Sequence, residues 1–431
     1  MPGYGEFVGF PPACLRKGCS LNNNNDRRVV ITGAGVVSAL GDDWSQVKSA
    51  LQSMKSAVCY MEDWKKYDGL GTYLAAPIHD FALPDHYTKK KKRSMGRVAQ
   101  MGVLATERAL ADAGLTDDAV IRSSATGVAY GSATGSSEAA LEFAPMLENF
   151  STSRINSSTY LRMMNHTAAV NISVYFGTQG RMYTTSSACT AGSQAIGYAY
   201  EAIKFGQQDV MIAGGAEELC PSQAAVFDTL FAASTKNDTP EATPRPYDRD
   251  RDGLVLGEGA CTLILESYEH AKARGANILA EVTGYATNTD GAYLVKPNPE
   301  TVQRVMASAM KDAGVTADDI GYVSAHGTAT QHGDIVESHA TFQVVGAKPI
   351  SSLKSYTGHT LGACGSFEVW ATVNMMKENW FAPTLNLDNV DPECAPLDYI
   401  RQECREIKTD CFMSNNLAFG GINTSLIIKR V

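Results

Sequence analysis

A chain of 431 residues with 44% hydrophobic and 19% charged side chains has the balance of a globular protein with a large core. Its net charge of -9 argues against general nucleic-acid binding, which needs a basic face, and no apolar run reaches the roughly 18 residues of a membrane span. The ten cysteines include no CxxC pair and follow no secretory leader, which reads as reduced thiols in a cytoplasmic protein. No histidine stands at ligand spacing from a cysteine, so no metal site is expected.

Residues 1–26 carry four glycines, three prolines and the run Asn22-Asn23-Asn24-Asn25 without periodicity, and are expected to be a disordered extension. Order is expected from Arg28-Val29-Val30-Ile31-Thr32-Gly33, an apolar strand closing on a glycine turn. Gly33-Ala34-Gly35 lacks the third glycine and the acidic residue of a dinucleotide loop, which excludes that reading. Strand-like runs follow at 127–131, 209–215 and 261–265, alternating with helical stretches at 97–113 and 193–205. Alternation of this kind means a largely parallel sheet covered on both faces. The polar, proline-rich segment 221–256 reads as a lid or connector. A second α/β series starts at Ile278 and runs through helix 301–313, strand 320–325, helices 333–345 and 364–377, and a last strand at 424–428. Two similar halves are expected, 27–275 and 276–431, although their sequences are too different to prove a duplication.

Three stretches carry chemistry. Thr184-Thr185-Ser186-Ser187-Ala188-Cys189 lies where a β-leaning run gives way to a helical one, which sets Cys189 on a tight strand-to-helix turn with its sulfur exposed. A thiol there feels the positive end of the helix dipole, which favours the thiolate, and the turn's free N–H can donate to an oxyanion. A lone cysteine among small residues also fits a core thiol. Two histidines decide between these readings: His326 in Ser324-Ala325-His326-Gly327-Thr328, and His359 in Lys354-Ser355-Tyr356-Thr357-Gly358-His359. Each sits in a small-residue turn after a strand. The C-terminal Asn415–Asn423 segment reads as a glycine-rich turn whose N–H groups can line an oxyanion hole.

These motifs, with Ala-Gly-Gly-Ala-Glu-Glu at 213–218 and Arg-Pro-Tyr-Asp-Arg-Asp-Arg-Asp-Gly at 245–253, resemble the elongating β-ketoacyl-ACP synthases from Val29 to the C-terminus. The resemblance implies an α/β thiolase-like fold, two βαβαβαββ halves in a five-layered αβαβα body, and a decarboxylative Claisen condensation between acyl-enzyme and malonyl-ACP. It implies acyl carrier protein as partner, in a homodimer or in a heterodimer with a chain-length-factor-like subunit, and no cofactor beyond the phosphopantetheine that carries the substrates. Cys189 matches the nucleophile, and His326 and His359 match the pair that stabilises the enolate. Lys354 matches an electrostatic lysine, Glu337 the carboxylate paired with it, and Thr328 and Thr330 hydroxyls for the phosphopantetheine arm.

The backbones of Cys189 and Leu417 match the oxyanion hole, and Leu417 and Phe419 line the acyl site. Lys90 and Arg93, at the start of an expected helix 88–113, match the carrier-docking cations. Other branches of the superfamily fit less well. Initiating synthases carry asparagine in place of the second histidine, thiolases need a second cysteine in the C-terminal loop, and chain-length factors lack the nucleophile. One departure stands out: Leu417-Ala418 replaces the family's phenylalanine-glycine gate. That points to a stiffer gate and a pocket suited to conjugated or aryl-capped chains, as in aryl polyene synthases.

Overall fold

The computed structural model describes residues 26–153 and 155–431, so the expectation for 1–26 falls, but for its last residue, outside the described residues. A first series comprises β1 (Val29–Ser38), α1 (Arg97–Asp112), β2 (Thr126–Gly131), α2 (Thr167–Phe176), β3 (Met182–Thr184), α3 (Ala191–Lys204), β4 (Val210–Glu217) and β5 (Gly259–Ser267). A second repeats its grammar: β6 (Ala280–Thr289), α4 (Pro299–Ala313), β7 (Tyr322–Ser324), α5 (Gln331–Val345), β8 (Pro349–Ser351) and α6 (Cys364–Glu378). The edge strand β9 (Asp398–Tyr399) and the hairpin of β10 (Cys411–Ala418) and β11 (Ile422–Lys429) complete it.

Eleven strands form one hydrogen-bonded sheet in the order β9-β8-β7-β10-β11-β6-β1-β5-β4-β2-β3. With the edge strand β9 set aside, the spatial order within each series is the same: third, second, fourth, fifth, first strand. The series meet where β1 pairs antiparallel with β6, Val29 opposite Val282 and Ile31 opposite Ala280. Helices α3 and α6 pack on each other in the middle layer, α1 and α2 cover one outer face, and α4 and α5 cover the other. The result is the thiolase-like αβαβα body. Repeated strand order shows the repeat that residue identity conceals, because burial constrains which positions are apolar and not which apolar residue fills them.

Two local expectations change. The first strand does not end in a glycine turn at Gly33 but continues to Ser38. Gly33 and Gly35 are strand residues beneath α1, where a Cβ would come within 2.5 Å of Ala113 N and 2.1 Å of Ala105 O. The glycines mark a close backbone approach, not a turn. The expected helix 88–113 is two helices, one turn at Lys89–Lys92 capped by Thr88 and then α1, with extended Gly96 as its N-cap. Lys90 and Arg93 are both exposed on that short turn and its end. Among the described residues, no helix is long and apolar enough to cross a membrane.

Candidate active site

The centre of the molecule is where α3 and α6 meet at their N-termini. Each helix is entered through a three-residue 3-10 turn, Ala188–Thr190 before α3 and Leu361–Ala363 before α6. Both turns open on a residue with positive φ, Ala188 at 49° and Leu361 at 44°. Such a strained entry costs about 1–3 kcal/mol and persists only where surrounding structure enforces it. Close packing does so here: a Cβ on Gly192 would sit 2.9 Å from Gly362 O, so only glycine admits the second turn at this distance.

Cys189 occupies the middle of the first turn, as the strand-to-helix grammar predicts, but its sulfur is not exposed. The residue is 5% accessible and packs in a cluster with Phe227 and Leu361, against which Phe419 also lies. Burial pushes the Cys189 thiol up to about 12, against the pull of the Lys354 charge and the N–H groups of Phe419 and of Cys189 itself. The expectation that the helix dipole favours the thiolate is therefore corrected: desolvation outweighs it, and the resting group is a thiol.

His326 follows β7 and His359 follows the short helix Lys354–Thr357. The reactive side-chain atoms of Cys189, His326 and His359 all lie within 4.8 Å of one another. The two imidazole rings are 5.3 Å apart and nearly perpendicular, at 86°. Burial lowers both imidazole pKa values well below 6.5, and the Lys354 charge lowers them further. Each ring is therefore neutral near pH 7 and carries one N–H.

Glu337 holds the His326 loop, accepting from His326 N at 2.6 Å, Gly327 N at 2.8 Å and the Tyr247 hydroxyl at 2.8 Å. The His359 backbone is clamped from both sides: its N–H donates to Val255 O at 2.7 Å, and its carbonyl accepts from Gly257 N at 3.0 Å. Neither ring nitrogen of His359 has a partner among the described residues.

Three expectations about this site are corrected. Lys354 pairs with Glu368 on α6, not with Glu337. The two oxygens of Glu337 are already spent on the His326 loop, so it reaches Lys354 only through its field. Desolvation pulls the ammonium down, and Glu368 more than restores it, so Lys354 stays charged.

The second concerns the oxyanion hole. The N–H that faces the Cys189 sulfur from the C-terminal hairpin is that of Phe419, not Leu417. Leu417 lies inside the ladder opposite Asn423, and Phe419 is the first residue past the strand end. Third, the gate-like side chain beside Cys189 is again Phe419, whose ring lies 5.1 Å from Phe227. Leu417 packs into the core of the second series while still lining the cavity.

A cavity of about 400 Å³ leads from the surface to Cys189, His326 and His359, lined on its way by Thr328, Thr330, Leu417 and Phe419. The two threonine hydroxyls are 3.0 Å apart. Outside the group stand residues that sequence reasoning missed. Asn416 donates to Glu368 at 2.8 Å, which fixes its amide orientation, and the same nitrogen lies 3.5 Å from His326 Nδ1. That makes Nδ1 the acceptor and puts the His326 proton on Nε2. Glu217 accepts from Ala133 N at 2.6 Å and Gly362 N at 3.1 Å, tying the second turn to β4. A signal for Glu368 existed: it is the single charge in the otherwise uncharged stretch 364–376.

The Lys354–Glu368 pair gives a stability test. Glu368→Leu leaves a buried ammonium without its partner and is expected to cost about 3–5 kcal/mol in urea unfolding. The double variant Lys354→Met/Glu368→Leu should recover most of that loss. Equal losses in both variants would mean that side-chain packing, not charge pairing, holds this layer.

Comparison with known proteins follows the same lines as the geometry. Residues 26–271 match the β-ketoacyl synthase N-terminal domain and residues 279–388 its C-terminal domain. The chain is 37% identical to 3-oxoacyl-[acyl-carrier-protein] synthase 2 of Vibrio cholerae, over 94% of this chain and 99% of that one. A crystal structure of a β-ketoacyl synthase from Burkholderia phymatum is 56% identical, with a TM-score of 0.93, covering 94% of this chain and all of the other. A type II PKS acyl-carrier protein in complex with its ketosynthase bound to the hexaketide is similar at 31% identity and TM-score 0.85, again over 94% of this chain and all of the matched one. With both family domains matched in order across one continuous fold, the chain belongs to the β-ketoacyl synthase family.

Proposed function

We propose that this chain is an elongating β-ketoacyl-ACP synthase, with Cys189 as acyl carrier and His326 and His359 as the decarboxylation pair. The observation that carries the reading is the convergence of a thiol and two neutral imidazoles within 4.8 Å at the foot of an open cavity. In the first half-reaction the Cys189 thiol gives up its proton and attacks the thioester carbonyl of acyl-ACP. The N–H groups of Cys189 and Phe419 receive the oxyanion, and the phosphopantetheine sulfur leaves as a thiol, taking up the proton that Cys189 gave.

In the second, malonyl-ACP loses carbon dioxide and negative charge moves onto its thioester oxygen. Nε2–H of His326 and one N–H of His359 meet that oxygen. Two donors in a desolvated site lower this barrier without a net positive charge that would trap the carboxylate. The carbanion then attacks the Cys189 thioester carbonyl, the acyl C–S bond breaks, β-ketoacyl-ACP is released, and the departing Cys189 thiolate takes up a proton from solvent to restore the resting thiol. Lys354 and Glu368 act at a distance, holding α6 and Asn416, while Thr328 and Thr330, which line the cavity, hydrogen-bond the phosphopantetheine arm. Residues 27–275 and 276–431 are taken as the two halves of the enzyme, a division that the repeated strand order supports.

The test is direct: incubation with acyl-ACP and malonyl-ACP should give β-ketoacyl-ACP by mass spectrometry with stoichiometric carbon dioxide. A panel of saturated, polyenoyl and aryl-capped acyl-ACPs that all fail to acylate the protein would overturn the reading. Native mass of the protein, alone and co-expressed with a chain-length-factor-like subunit, separates a homodimer from a heterodimer.

Carrier docking needs local positive charge on an acidic protein, because carrier proteins are themselves acidic. Lys90 and Arg93 supply it on the exposed turn before α1. Lys90→Glu/Arg93→Glu is expected to raise KM for acyl-ACP about tenfold at low salt and to spare small thioester surrogates. An equal loss on both substrates would place docking elsewhere.

A further inference from the structure

We propose that Cys189, His326 and His359 together form a binding site for a borderline-soft divalent cation, zinc foremost, that reversibly blocks the unacylated enzyme. Sequence spacing gives no hint of this, since 137 positions separate the cysteine from the nearer histidine. The fold gathers one sulfur and two imidazole nitrogens, the donor types zinc prefers, with all three within 4.8 Å of one another. In a tetrahedral site with Zn–N of about 2.0 Å and Zn–S of about 2.3 Å, ligand atoms stand roughly 3.3–3.8 Å apart. Side-chain rotations that move each donor by about an ångström close the difference.

A second observation points to a ligand. His359 is 1% accessible and faces the cavity, yet neither of its ring nitrogens has a partner among the described residues. Unpaired buried polar atoms are costly, and a metal satisfies one of them. Both rings are neutral at pH 7; His359 has a lone pair to give as it stands, and His326 gives Nε2 once its proton shifts to Nδ1 and the 3.5 Å contact with Asn416 is released. The nearby Lys354 charge opposes a cation, but Glu368 pairs with it, and Glu217 puts a further buried carboxyl near the cysteine.

Binding exchanges one proton for the metal: Cys189–SH and Zn²⁺ give Cys189–S–Zn⁺ and H⁺. Three protein ligands leave the fourth position open to the cavity, where water or the free thiol of a carrier arm can bind. Blocking the sulfur removes the only anionic ligand, so an acylated enzyme escapes the metal.

Cobalt titration of the purified full chain tests this without any turnover, so its failure is distinct from failure of the proposed reaction. One equivalent of Co²⁺ per chain should produce a thiolate-to-cobalt charge-transfer band in the near ultraviolet, displaced by Zn²⁺. Cys189→Ser, or S-alkylation of Cys189 by iodoacetamide, should remove the band. His359→Asn should weaken Co²⁺ binding by at least about tenfold with an unchanged melting temperature. Cys220→Ser, at a half-exposed thiol outside the site, should leave band and affinity intact. A band that survives in Cys189→Ser or after alkylation would put the metal elsewhere and overturn the proposal. So would a folded wild-type chain that shows no band at millimolar Co²⁺.

Discussion

Replacing Cys189 by alanine is expected to abolish the covalent acyl-protein adduct and to lower condensation by on the order of 10⁴-fold or more. Alanine removes the nucleophile but not the turn, since the positive φ sits on Ala188 and the close helix contact on Gly192. The fold should therefore survive, and a melting curve close to wild type is the control. Carbon dioxide release from malonyl-ACP should persist in this variant, because the two imidazoles proposed to meet the enolate oxygen remain. An acyl adduct on any of the other cysteines in the alanine variant would sink the assignment. The seven other described cysteines are all free, so the mass-spectrometric search is open to each of them.

His326→Ala and His359→Ala should show the opposite pattern. Each removes one donor to a developing oxyanion, worth about 10²–10³ in rate, so decarboxylation should fall by that factor. Some acylation of Cys189 from acyl-ACP should remain. The pH profile gives an independent readout. Both imidazole pKa values lie well below 6.5. The neutral, donating form is therefore complete above that value and is lost only as pH falls through the depressed one. Decarboxylation should thus show no histidine limb near pH 6.5. A limb at 6.5 in the folded enzyme would mean that the rings are solvated and do not form the pair described here. Near wild-type condensation by both alanine variants would remove the histidines from the mechanism altogether.

Much of this site is legible in the linear chain because its chemistry is local. A nucleophile on a strand-to-helix turn needs small residues and a helix start in immediate succession, and 184–193 spells that out. His326 is announced by glycine and small neighbours at a strand end, and His359 by the same residue types after the short helix Lys354–Thr357. The alternation of apolar strands and amphipathic helices likewise fixes the α/β class, since each element must bury one face.

What the chain does not spell out are partners brought from distant elements. Lys354 has two carboxylates within reach of its field, Glu337 and Glu368. Choosing between them requires knowing that Glu337 is saturated by the His326 loop. Likewise, which residue of 417–419 turns its N–H to the sulfur depends on where β10 stops pairing with β11. That is a register fact, invisible to composition. The depth of Cys189 also belongs to tertiary structure. A helix N-terminus favours the thiolate by a fraction of what burial takes away, and burial is set by Phe227, Leu361 and Phe419 closing over the turn. Short-range grammar thus marked the candidate reacting atoms, and long-range packing decided their protonation, their partners and their separation. Charge and desolvation energies depend on everything within several ångströms, whereas sequence orders only what is covalently adjacent.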